Sequence, residues 1–76
     1  MDVITATVDA RGQSCPGPLV ALHKALGNAG PGDLLELLAT DPGSKSDVPS
    51  WSKLSGHELL EASETSGVYR YVIRKV

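Results

Sequence analysis

One cysteine stands in the whole chain, Cys15 in the stretch "DARGQSCPGP", with Pro16 directly after it and Pro18 two places further on. A thiol reacts as its thiolate, and a free cysteine of pKa about 8.5 is only about 3% ionised at neutral pH. Lowering that pKa by about one unit raises the ionised fraction to roughly a quarter. The neighbours of Cys15 suit such a shift. Proline is favoured at the first helical position, where its missing N–H has no partner to lose, so Pro16 predicts a helix start with Cys15 as its N-cap. Pro18 reinforces the same turn. A helix N-terminus behaves as about half a positive charge and favours an anion beside it. Arg11, four residues upstream, would add to the effect by folding back over the sulfur, with Gly12 giving the loop freedom to do so. Gly17 removes side-chain bulk beside the sulfur and would ease a partner's approach. The residues alone leave a second reading open, in which Cys15 is a small buried hydrophobe with a structural role.

The elements around this stretch follow from periodicity. Residues 3–8, "VITATV", alternate as a half-buried strand, with Ile4, Ala6 and Val8 on one side. "DARGQS" is a loop. From Pro16 the pattern becomes helical, with Leu19, Leu22, Ala25, Leu26 and Ala29 on one arc and Val20 and Lys24 facing away. Asn28, Gly30 and Pro31-Gly32 end that helix. "DLLELLAT" reads as a central strand because it is apolar almost throughout. "DPGSKSD" leads into a second helix, for which two starts stand. Ser44 and Asp47 have capping-box spacing, and Pro49 instead suits a start nearer Ser46. Val48, Trp51 and Leu54 supply its buried face, and Gly56 ends it. "HELLEASE" and "VYRYVIRKV" are strands joined at Thr65-Ser66-Gly67 as a hairpin. The predicted fold is α+β: a two-layer α/β sandwich of order β-α-β-α-β-β, with a mixed four-stranded sheet and two helices on one face. No repeat or linker interrupts it, so residues 1–76 read as a single domain.

Composition bounds the function. A chain of 76 residues without Phe builds a modest core from Leu, Val, Ile and Ala. One cysteine cannot make an internal bridge, and the N-terminus lacks a basic start and a long apolar stretch, so the expected compartment is the reducing cytoplasm. The apolar run around "LLELLA" is far too short to span a bilayer. Seven basic against nine acidic residues argue against nonspecific nucleic-acid binding, although Arg11, Lys24 and Lys45 would form a local basic face. His23 and His57 are scattered, and one Cys with two such histidines predicts no metal site. No cofactor is expected. Asp9 would orient Arg11 or bond backbone amides, Asp41 before Pro42 is a turn former, and Trp51 is core. Leu34 and Leu38, with Val72, fall on the side away from the helices. They are either ordinary scattered exposure or a weak self-association or docking surface of a monomer.

"DARGQSCPGP", "ATDPGSKSDVPSW" and "SGHELLE", in that order, resemble the TusA/SirA-type sulfur-carrier family over nearly the whole chain. The most specific elements are Cys-Pro-x-Pro, the preceding Asp-x-x-Gly and the following Asp-Pro-Gly. The resemblance implies a two-layer sandwich and a Cys15 that receives sulfane sulfur as a persulfide. The donor would be a protein such as a cysteine desulfurase, a rhodanese or a DsrE-like protein, and an acceptor protein would take the sulfur on. It further implies that Pro16 and Pro18 shape the helix entry, that Asp9 and Gly12 structure the preceding loop, and that Asp41, Pro42 and Gly43 form a neighbouring one. Its pathways are tRNA thiolation, molybdenum-cofactor assembly and sulfur oxidation, the last with a thiosulfonate as alternative cargo. Two residues depart from the pattern. Gly17 replaces a larger apolar residue, and Ser52 stands where some relatives carry a second cysteine. The protein is then a relay rather than a stand-alone enzyme. Competing readings are a regulatory or protein-interaction module with a structural cysteine, and a thiol redox sensor, which lacks a resolving thiol.

Overall fold

The computed structural model describes residues 4–14 and 17–76. Along it run β1 (Ala6–Ala10), α1 (Gly17–Gly27), β2 (Leu34–Ala39), α2 (Ser44–Ser55), β3 (Glu58–Thr65) and β4 (Val68–Arg74). The sheet order is β1-β2-β4-β3. β1 pairs parallel with β2, and the other two pairings are antiparallel. This is the mixed sheet that the element order predicts.

Alternation in β2 divides the sheet into two unlike faces. Leu35, Leu37 and Ala39 point one way, in rows with Ala6, Val8 and Ala10 of β1 and with Ile73, Tyr71 and Tyr69 of β4. Leu22 and Leu26 of α1 and Val48 of α2 pack on those rows in one cluster. Both helices therefore cover the same face. Leu22, Leu35, Leu37 and Ile73 are wholly buried, and each contributes about 1.5–3 kcal/mol of transfer free energy. The predicted arc of α1 is the one used: Leu19, Ala25 and Ala29 flank the two buried leucines, while Val20 remains 47% exposed.

The opposite face carries Thr7, Leu34, Glu36, Leu38, Arg70, Val72 and Arg74. Glu36 accepts from Thr7 at 3.0 Å and pairs with Arg70, which also reaches Glu61 at 3.0 Å; Arg74 pairs with Glu58. Arg70 first, and Thr7 second, hold the Glu36 carboxyl below its ordinary pKa. Leu34 and Val72 are only 6% and 5% exposed. They lie on the predicted side of the sheet, yet that side presents ion pairs to solvent rather than an apolar patch.

Two boundaries and one buried position differ from the sequence expectation. β1 runs over Ala6–Ala10 rather than residues 3–8, because Asp9 and Ala10 stay in register with Leu38 and Ala39. Val3 lies outside the described residues. Ser44 does not cap α2. Gly43 is the N-cap, with helical φ and no side-chain cap bond, while the Ser44 hydroxyl is buried against the Tyr71 phenol at 2.8 Å. The helix thus starts at Ser44 and contains Pro49. Leu54 is 90% exposed rather than buried. Its position is about 240° round the helix from Val48, whereas Ser44 and Ser52 fall within about 40° of Val48 and are buried with it. Gly56 ends the helix as expected, at φ +82°, donating to the Ser52 carbonyl at 3.0 Å. Ser66 and Gly67, both at positive φ, turn the hairpin.

Candidate functional site at one end of the sheet

β1 and β2 run parallel, so the chain leaves both at the same end of the sheet and enters both helices there. Tyr69 of β4 is level with Ala39, which brings the β3–β4 turn to that end as well. The described site residues singled out in the sequence, Asp9, Arg11, Gly12, Gly17, Pro18 and Asp41, converge on this end.

The first loop is built from Asp9 outward. Its carboxylate accepts from the Arg11 backbone N–H at 3.1 Å, and from Arg11 Nε and Nη2 at 2.9 and 2.8 Å. This bidentate bond, foremost, lowers the Asp9 pKa to about 2 and raises that of Arg11. Both side chains stay 53% exposed. The Arg11 guanidinium is thus held on Asp9, the contact expected if Arg11 shapes the loop. Gln13 N–H donates to the Ala10 carbonyl at 3.2 Å, closing a turn whose third residue is Gly12 at φ +83°. A side chain is strained there, so Gly12 serves geometry rather than flexibility. Its N–H also donates to Thr40 Oγ1 at 2.9 Å, tying this loop to the end of β2.

Cys15 and Pro16 lie outside the described residues, and with them the predicted N-cap. The residues on either side are placed. Gly17 N–H donates to the Ser14 carbonyl at 2.7 Å, and α1 begins at Gly17. The space beside Gly17 is not open as expected. A Cβ built there would lie 2.8 Å from Gln13 Oε1 and 3.1 Å from Gln13 Cβ. Gln13 is the residue that sequence reasoning missed, because only a glycine four places on reveals where its side chain lies.

Pro18 is buried, and with Leu19 it faces Asp41, Ser44, Asp47 and Val48 across a small gap. The first turns of the two helices are therefore neighbours. Asp41 Oδ1 accepts the Gly43 N–H at 3.3 Å, and its carbonyl accepts Ser44 N–H at 3.0 Å, which is the turn-forming role expected of Asp-Pro-Gly. Lys45, the next residue, lies over the Tyr69 ring at 6.0 Å. Among the described residues Lys24 and Lys45 enter no ion pair, and Arg11 is committed to Asp9. The histidines are elsewhere. His57 stacks on Trp51, with ring centroids 5.7 Å apart, and its Nδ1 accepts the Val76 N–H at 3.3 Å. His23 is exposed. Among the described residues no three His, Cys, Asp or Glu side chains are grouped to hold a metal ion, and no helix is long and apolar enough to cross a membrane.

Comparison with known proteins matches residues 6–75 to the family model described as Sulfurtransferase TusA. The chain is 43% identical over 72 residues to the sulfur carrier protein TusA of Pseudomonas paraeruginosa, covering 95% of this chain and 91% of the relative. It is 44% identical over 70 residues to a sulfur carrier protein TusA of Pseudomonas putida, covering 92% and 88%. The crystal structure of a SirA-like protein from Desulfitobacterium hafniense superposes with a TM-score of 0.82 at 29% identity, over 92% of this chain and 96% of that one.

Proposed function

The chain belongs to the sulfurtransferase TusA family, a family of sulfur carriers, and on that footing we propose that Cys15 is the carrier residue. The observation that supports this most is that the family match spans the chain's sole cysteine, and that the described residues flanking it in sequence, Ser14 and Gly17, stand at the end of the sheet where both helices begin. The Cys15 thiolate attacks the outer sulfur of a donor persulfide R–S–SH. A bond forms between Cys15 Sγ and that sulfur, the donor S–S bond breaks, and R–S⁻ leaves. Cys15–S–SH is the product, with no net oxidation. A partner thiolate repeats the step in the other direction and returns Cys15 to its thiolate.

The positive end of α1, which starts two residues after Cys15, favours the anionic form of thiol and persulfide alike. The Asp9–Arg11–Gly12 turn and the Asp41–Gly43 turn hold the two flanking loops, and Pro18 anchors the helix entry in the core. The donor is a persulfide-bearing protein of the cysteine desulfurase, rhodanese or DsrE-like kind, and the acceptor is a second thiol protein. tRNA thiolation, molybdenum-cofactor assembly or sulfur oxidation would consume the cargo. A reducing cytoplasm suits a carrier with one thiol and no internal disulfide to protect it.

The test is intact mass after exposure to polysulfide. The wild-type protein gains one reducible sulfur, mapped to the Cys15 peptide. Cys15→Ser keeps the fold and gains none. Loading of the serine variant, or no loading of the folded wild type, would remove Cys15 as the carrier.

A further inference from the structure

We propose that the outer edge of β1 is a self-association surface, on which a second copy of this chain adds its own β1, antiparallel, about a two-fold axis at Thr7. The pairing is a property of the sheet and holds whatever Cys15 carries.

The sheet has two edges, β1 and β3, because its order is β1-β2-β4-β3. An edge strand turns every second N–H and C=O outward, unpaired, and natural sheets guard such edges with charge, bulges or proline. β3 is guarded twice over. Its pairing with β4 slips between Leu59 and Glu61, and it carries Glu58, Glu61 and Glu64. Two copies of β3 paired about Glu61 would set Glu61 on Glu61 and Glu58 on Glu64, like charges directly opposed. β1 has no such guard. From Ile4 to Val8 it holds no charge and no proline, and its register with β2 runs unbroken from Ala6 to Ala10. Ala6 is exposed although it lies in the row that the helices cover, and Thr7 is exposed on the other side. Among the described residues no strand lies beyond β1.

What fits this edge is the strand itself. With the axis at Thr7, Thr7 meets Thr7, a favourable cross-strand pair, and Ala6 meets Val8 of the second copy. Asp9 meets Thr5, so no like charges are opposed, and Asp9 is already neutralised by Arg11 at 2.8 Å. A net charge of −2 opposes the approach of two copies only weakly. Outward N–H groups of one strand then face C=O groups of the other, and the two sheets join into one. Both edges of the joined sheet are β3, which is guarded, so association stops at the dimer. The contact is small. The five residues of β1 span about 17 Å and the shortest axis of the molecule is 18 Å, giving about 300 Å² on each copy. A stable complex buries roughly 800 Å² per partner, so this dimer is expected only at about 0.1–1 mM protein.

The experiment uses the whole chain under reducing conditions, so that Cys15 cannot cross-link two copies. Sedimentation equilibrium and amide exchange by NMR are followed from about 50 µM to about 1 mM. The wild type is expected to pass from monomer toward dimer and no further. Over that range every second amide of β1, fast-exchanging in the dilute protein, slows at least about twofold, while β3 amides do not change. Ala6→Pro or Thr7→Pro is then made, whichever residue has the fast amide, because an edge strand accepts proline where its N–H faces outward. That variant should keep the fold of the dilute wild type and associate at least about tenfold more weakly, having lost donors that the pairing needs. A wild type that stays monomeric at the highest concentration would overturn the proposal. So would protection that arises on β3 instead of β1, species larger than a dimer, or undiminished association of the folded proline variant.

Discussion

Removing the hydroxyl of Ser44 tests whether α2 is fastened to the sheet by one buried hydrogen bond. Ser44 is 3% and Tyr71 2% exposed, and their oxygens are 2.8 Å apart. Water therefore does not replace either partner. A neutral hydrogen bond contributes about 1 kcal/mol net, and an orphaned buried phenol brings the cost of Ser44→Ala to about 2 kcal/mol. In a domain of this size that lowers Tm by about 8–16 °C. Tyr71→Phe leaves the Ser44 hydroxyl orphaned and costs a similar amount. The double variant removes both polar groups, and its cost should fall short of the sum of the single costs by about 1 kcal/mol or more. Urea unfolding of the four proteins measures the cycle. A Ser44→Ala cost below about 0.5 kcal/mol, or strict additivity, would refute the fastening role.

Asp9 gives a prediction in acid. Its folded pKa of about 2 lies below the unfolded value near 4, so its contribution is present above about pH 4 and lost as pH falls through about 2. NMR titration of Arg11→Ala should raise the Asp9 carboxyl toward the ordinary range, the backbone N–H bond being kept, and flatten that part of the stability profile; an unchanged Asp9 titration would show that the arginine side chain is not the cause. On α2, Leu54→Lys should change stability by less than about 0.5 kcal/mol, because the side chain is 90% exposed. A loss of about 2–5 kcal/mol, as for a truncated core leucine, would place Leu54 in the interior after all.

Periodicity carried most of the fold in the sequence. The α1 arc and the near-continuous apolar run of β2 each admit one solution, and Gly67, two residues past Thr65, marks the hairpin. α2 was legible only as a helix. It has one aliphatic residue, Val48, on its buried face, flanked by Ser44 and Ser52, so polarity misleads and Leu54 draws the reading round the cylinder. The Ser44 hydroxyl looks like a cap in sequence because capping-box spacing is local, whereas its partner Tyr71 is 27 residues away. At the site, Asp9, Arg11 and Gly12 were readable as one loop because Arg11 bonds Asp9 and the turn through Gly12 closes from Ala10 to Gln13. Gln13 was not readable as the neighbour of Gly17, and Lys45 was readable only as part of a basic face, since the Tyr69 ring beneath it comes from another element.

In the proposed relay, sulfur passes through Cys15 on its way between two proteins. The most direct measurement follows isotopically labelled sulfane sulfur from a persulfide-loaded donor protein, through this protein, to an acceptor thiol, by intact mass at each stage. The label is expected first on Cys15, acceptor thiol then removes it, and Cys15 returns to its unmodified mass. Label that remains on Cys15 in the presence of acceptor, or that reaches the acceptor equally well through Cys15→Ser, would contradict it.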